Sequence, residues 1–115
     1  MASVFDNQNI SYSLEKIDDY INGSGSGAMA GFGVTAAKII VEVLEQLETK
    51  MREHGIDPGH SEMPTALHAA RELQKYVNDQ HSEIANRTEA RIFLRSLRTD
   101  IGDLKQYEQD MEKAS

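Results

Sequence analysis

Residues 90–111 read ARIFLRSLRTDIGDLKQYEQDM, and the spacing of their apolar side chains decides the fold. Ala90, Leu94, Leu97, Ile101, Leu104 and Met111 follow one another at intervals of 4, 3, 4, 3 and 7 residues. That alternation is one apolar stripe on an α-helix. Tyr107 is the candidate for the step left open between Leu104 and Met111. A near-heptad seam of this kind packs at shallow angles, as in antiparallel bundles. Leu94, Leu97, Ile101 and Leu104 are therefore candidates for the floor of a helix-lined groove. Beside the seam, Arg87, Arg91, Arg95 and Arg98 recur at intervals of 4, 4 and 3. At about 100° per residue they share a sector of roughly 80°. They read either as a solvated face, with Glu83 and Arg87 an i,i+4 pair, or as an electropositive rim to the groove.

Upstream of the seam the pattern predicts two more helices. Thr35 is placed to cap the first, which runs to about His54 with Ala36, Ile40, Val43, Leu44, Leu47 and Met51 inward. Glu42, Glu45, Glu48 and Lys50 face outward in that register. Gly55 suits the left-handed residue that closes a helix, Ile56 the apolar contact after it, and Pro58 bars continuation. Ser61 caps the next helix, with Glu62 and Pro64 in its first turn. Its stripe is Met63, Leu67, Ala70, Leu73 and Val77, with Tyr76 at the margin. No proline follows residue 64, and the only later glycine is Gly102. Even so, the stripe loses phase between Val77 and Leu94, where Thr88 and Arg91 fall on core positions. A break is expected between Asn78 and Thr88, at Asn78-Asp79, with Asp79 or Ser82 as the new N-cap.

Ahead of these helices the chain changes character. Gly23-Ser24-Gly25-Ser26-Gly27 is a flexible-coil composition, and Ala28-Met29-Ala30 resembles what cloning leaves behind. Residues 23–30 thus read as an engineered linker and scar, dividing a peptide (1–22) from a helical domain (31–115). In the peptide, Ile10, Leu14, Ile17 and Ile21 are spaced 4, 3 and 4, a single apolar stripe. Ser13 can cap this helix, Asn22-Gly23 can stop it, and Val4-Phe5 can add an extended lead-in. A helix below about 12–15 residues is marginal alone in water. Its stripe needs a groove, the situation of helix-in-groove recognition.

Composition narrows the function. The chain has 115 residues, no cysteine and no tryptophan, so neither disulfides nor thiolate chemistry is available. No apolar run approaches the ~18 residues of a membrane span. The net charge of −7 argues against nucleic acid, whose binding rests on neutralised phosphates. The peptide sets Asp6, Glu15, Asp18 and Asp19 against Lys16 alone. Four histidines occur, His54, His60, His68 and His81. Only His68 and Glu72 have helical metal-pair spacing, and His54 suits a helix C-terminus. No phosphate-cradling loop and no nucleophile–base spacing is present.

The reading is an all-α, antiparallel three-helix domain completed into a four-helix arrangement by a tethered N-terminal helix. Its function is expected to be docking or adaptor binding of a short acidic amphipathic helix of a partner protein. No enzyme activity, cofactor, metal or membrane partner is expected, and the location is expected to be cytoplasmic. The peptide's Glu15, Asp18 and Asp19 are expected to pair with Arg91, Arg95 or Arg98. The alternatives are a homo-oligomeric bundle formed through the last seam, such as a homodimer, and less favoured, a secretion-chaperone-like or nucleic-acid-binding helical domain.

Overall fold

The computed structural model describes residues 3–6, 9–23 and 28–114, with the backbone alone at 28–30. Four α-helices pack together: α1 (Ile10–Ile21), α2 (Ala28–Glu53), α3 (Met63–Val77) and α4 (Arg87–Ala114). Among the described residues there is no strand. Each helix neighbours the next, and α4 closes the ring against α1. Contacts at the helix ends give the directions. Tyr20 ends α1 against Gly33 at the start of α2, and Arg91 at the start of α4 reaches Asn22 just past α1. Lys50, late in α2, meets Glu108, late in α4. Tyr20 and Tyr76, near the ends of α1 and α3, stack edge-on at 6.2 Å. So α1 and α3 run one way, and α2 and α4 the other. No helix among the described residues is long and apolar enough to cross a membrane.

Leu47, Leu67, Leu97 and Leu104 all lie in one apolar core shared by the four helices. That core includes Ile10, Leu14, Ile17 and Ile21 from α1 and Phe5 from the segment before it. Gly33 permits the close approach of α1 to α2: a Cβ there would stand 3.1 Å from the Cβ of Tyr20.

The helix ends depart from the sequence reading in several places. Asn9, not Ser13, caps α1, its side chain accepting from the Tyr12 N–H at 2.9 Å, and Ser13 is buried inside the helix. The helix extends back to Ile10 because Asn9 accepts the Tyr12 N–H, so the turn ahead of Ser13 is already capped and helical. Thr35 caps nothing: α2 already begins at Ala28, so the boundary expected at residue 31 falls inside a helix. Ala28, Met29 and Ala30 carry no helix-breaking side chain and continue the α2 backbone ladder. Residues 24–27 of the expected linker lie outside the described residues.

The C-terminus of α2 follows the expected design. Gly55 adopts φ +75°, the Ile56 N–H donates to the Met51 carbonyl at 2.9 Å and the Gly55 N–H to Arg52 at 3.0 Å. These are the two bonds of a Schellman closure. A short 3₁₀ turn (Pro58–His60) then leads to α3, where Ser61 Oγ accepts from the Met63 N–H at 3.1 Å.

The α3–α4 connection differs from the sequence expectation. Asp79 is not an N-cap but the left-handed residue that terminates α3, at φ 56°, with Gln80 N–H donating back to Lys75 at 2.8 Å. Ser82 likewise starts no helix. Its hydroxyl lies 3.1 Å from the Glu72 carbonyl and 3.2 Å from the Glu72 carboxylate. That buried carboxylate also accepts the Glu83 N–H at 2.8 Å and Lys75 at 2.9 Å, so it secures the whole loop. These bonds, led by the Glu83 N–H, hold the Glu72 carboxyl below its ordinary range despite burial. The cap of α4 is Asn86, which accepts from Glu89 N–H at 3.0 Å. Asn86-Arg87-Thr88-Glu89 is a capping-box pattern that was open to reading in the sequence.

One buried group works against the fold. Asp100 on α4 is 8% exposed, and its Oδ2 has no hydrogen-bond partner among the described residues. Burial pushes its carboxyl above the usual range, and Glu62 and Asp103 push in the same direction. The folded state therefore binds this proton more tightly than the unfolded chain does. Stability is lost as pH rises from about 3.8 through the raised folded value, and is regained on acidification. Asp100→Asn is expected to stabilise the chain by about 1 kcal/mol at pH 7. Its advantage should vanish near pH 4, which urea titrations of both proteins at the two pH values would check.

Candidate functional site

The seat of α1 has three zones, and the middle one is apolar. Ile10, Leu14, Ile17 and Ile21 are all buried, and α1 packs against α2 and α4. From α4, Leu94, Leu97, Ile101 and Leu104 are buried in the same core. Glu15 is exposed on the flank of α1 that borders α4, where it and Asp18 line a recess with Arg98 and Lys105.

The second zone lies ahead of the helix and is polar. Residues 3–6 form a tight turn in which the Asp6 N–H donates to the Ser3 carbonyl at 3.1 Å and the Ser3 N–H to the Asp6 carboxylate at 3.1 Å. Phe5 is buried, with the Lys105 ammonium 5.6 Å from its ring centre. The turn rests on Glu108 of α4, which is 1% exposed. Glu108 Oε1 accepts from the Ser3 hydroxyl, and Oε2 accepts from the Val4 N–H at 3.0 Å and from Lys50 Nζ at 3.1 Å. Lys50 also bonds Glu112. Burial works against the Lys50 ammonium, but the bonds to Glu112 and Glu108 outweigh it and hold its pKa above the ordinary value. Lys50 is therefore not an outward-facing residue as its register suggested; its side chain is only 14% exposed.

Glu108 had a signal in the sequence. The α4 seam continues 101, 104, 108, 111, so the step that the apolar pattern leaves open belongs to Glu108. Tyr107, the candidate filler, is only half-buried against the core. A charged residue on a core register position points to a buried ionic partner.

The third zone lies at the C-terminus of α1. Arg91 donates from Nε and from a terminal nitrogen to the Asn22 Oδ1, at 3.1 and 2.9 Å. Arg87 lies beside Gly23. Two cations at a helix C-terminus also match the negative end of its dipole. The expected pairing of Arg91, Arg95 or Arg98 with Glu15, Asp18 or Asp19 is not made. Among the described residues no such pair comes within 4 Å, and Asp19 pairs with Lys16 at 3.6 Å instead. Arg91 is drawn to the Asn22 amide because α1 and α4 are antiparallel, which brings its end beside that residue. Arg87, Arg91, Arg95 and Arg98 are all exposed. Three of them share a recess of about 250 Å³ with Asp18 and Leu94, so the stripe does border the seam between α1 and α4.

Elsewhere the titratable groups act structurally. His54 Nδ1 lies 2.9 Å from the Lys50 carbonyl at the end of α2, the capping place its position predicted. His68 faces Glu83 at 2.9 Å, while Glu72 is committed to the α3–α4 loop, so the 68/72 spacing forms no ligand pair. Among the described residues no group of three His, Cys, Asp or Glu could hold a metal ion. No protein-family model, curated protein or solved structure matches this chain.

Proposed function

We propose that this chain is a protein–protein interaction module, a docking or adaptor domain that binds a short acidic amphipathic helix. In this reading the helical domain (31–115) is the receptor, and residues 1–22, which include α1, are a ligand peptide carried in tethered form. The observation that carries it is the seat of α1. A 12-residue helix too short to stand alone buries its whole apolar stripe. Side chains of α4 hold the chain on both sides of it, Glu108 at Ser3 and Val4 and Arg91 at Asn22. The Gly/Ser composition of residues 23–27 is of the kind used for tethers. The reading assigns binding and no catalysis, and it places the module in the cytoplasm, in keeping with a chain free of cysteine.

Four buried aliphatic side chains at about 1.5–3 kcal/mol each, less the costs of ordering and association, correspond to an affinity of about micromolar. The test is to replace residues 24–27 by a protease site and cut the folded full chain. The two pieces should stay together, and a labelled copy of residues 1–22 should exchange in with 1:1 stoichiometry. Loss of the helical signal on cutting, with no uptake of labelled peptide, would make α1 an ordinary first helix of a single bundle.

A further inference from the structure

We propose that Glu108 is the specificity-determining residue of this groove, reading a serine or threonine placed seven residues ahead of the first aliphatic anchor. The proposal rests on the docking reading above and deepens it by naming the chemistry of the partner. Of the groups that reach Glu108, the Val4 N–H is backbone and carries no sequence information, and Lys50 belongs to the receptor. Among the described residues, the Ser3 hydroxyl is the contact to Glu108 that distinguishes one ligand from another. It is the bond that satisfies Oε1 of a carboxylate with almost no access to water. A ligand without the hydroxyl leaves that oxygen buried and unpaired. Sites built to bond a hydroxyl reject analogues that lack it far more strongly than apolar pockets reject a missing methylene.

The hydroxyl has two tasks, since Ser3 Oγ also accepts the Phe5 N–H at 3.1 Å and so closes the turn. Alanine, valine and cysteine cannot do both well, whereas threonine can. The neighbouring residues complete the pattern. Asp6 ties off the Ser3 N–H, and Phe5 fills the apolar space beneath Lys105. The partner is thus an acidic amphipathic helix preceded by a Ser/Thr-x-Phe-Asp turn, whose contact with Glu108 fixes its register along the groove. A phosphoryl group on the hydroxyl would remove the donated proton and set negative charge against Glu108, which excludes the modified ligand.

The test uses the cut full chain and competing copies of residues 1–22. Ser3→Ala is expected to bind about 10- to 100-fold more weakly, and Ser3→Thr within about threefold of the parent. In a Glu108→Gln receptor the Ser3→Ala penalty should shrink below about threefold. Ile17→Ala serves as the control for docking itself. If Ile17→Ala weakens binding but Ser3→Ala does not, the role of Glu108 is overturned and the docking reading stands. If no peptide exchanges, docking fails, and urea unfolding of the uncut chain decides the rest. There a lowered midpoint for Ser3→Ala, but not for Ser3→Thr, supports the hydroxyl readout, and equal midpoints overturn it.

Discussion

Lys50→Met is expected to lower the unfolding free energy by about 3–5 kcal/mol, the usual result of removing one partner from a buried ion pair. The side chain of Glu108 is 2% exposed, and without Lys50 its partners among the described residues are the Ser3 hydroxyl and the Val4 N–H. Neither is a charge. The carboxylate is then left buried without a counterion. The deficit of the variant should accordingly shrink as pH falls toward about 5, because the protonated acid no longer needs a counterion. In the parent, the raised Lys50 pKa has the opposite consequence on the alkaline side. Its contribution is complete below about 10.5 and is lost as pH rises through the folded value. The double variant Lys50→Met/Glu108→Leu should recover most of the loss, since apolar replacements of a buried pair are often neutral or better. Urea unfolding of the two variants at pH 7 and pH 5 makes the comparison. A single variant within about 1 kcal/mol of the parent would mean that water reaches Glu108 and that no buried pair exists.

That ionic lock was the part of the molecule hardest to read in the sequence. The helices were legible because each leaves a periodic apolar trace: the α4 seam, the α1 stripe, and the Gly55–Ile56 closure with its matching bonds. Helix starts were harder, because several residues in each junction can cap and only tertiary context selects one. Asn9 displaced Ser13, and Asn86 displaced Asp79 and Ser82. Asp79 turned out to occupy the left-handed terminating position, a role that glycine advertises and aspartate does not. Charges were hardest of all. Lys50 lies on a face that reads as solvent-exposed until α4 is laid beside it, and Glu108 reads as surface until its heptad position is counted. The arginine stripe was visible, yet its actual bond is to the Asn22 amide. The order in which α1 and α4 pass each other determines that, and no local spacing encodes it.

Leu104→Ala should cost about 2–5 kcal/mol, comparable to the ionic lock but by a different mechanism. Leu104 is fully buried on the α4 seam, among the side chains of the single core that α1 shares. Truncation removes three carbons and leaves a cavity that packed neighbours fill only in part. Unlike the Lys50 variant, this one has no titrating group in play, so its deficit should be the same at pH 5 and pH 7. Total stabilities of domains this size lie around 5–15 kcal/mol, so the loss is a large share of the whole. At roughly 4 °C or more per kcal/mol, the melting temperature should fall by about 10 °C or more. Arg95→Ala provides the contrast on the same helix. Its side chain is exposed and in no ion pair within 4 Å among the described residues, so its effect should stay within about 0.5 kcal/mol. Equal melting temperatures for Leu104→Ala and Arg95→Ala would mean that the 4-3-4-3 face of α4 is not the one turned inward. The groove assigned to that face, and the seat of α1 within it, would fall with it.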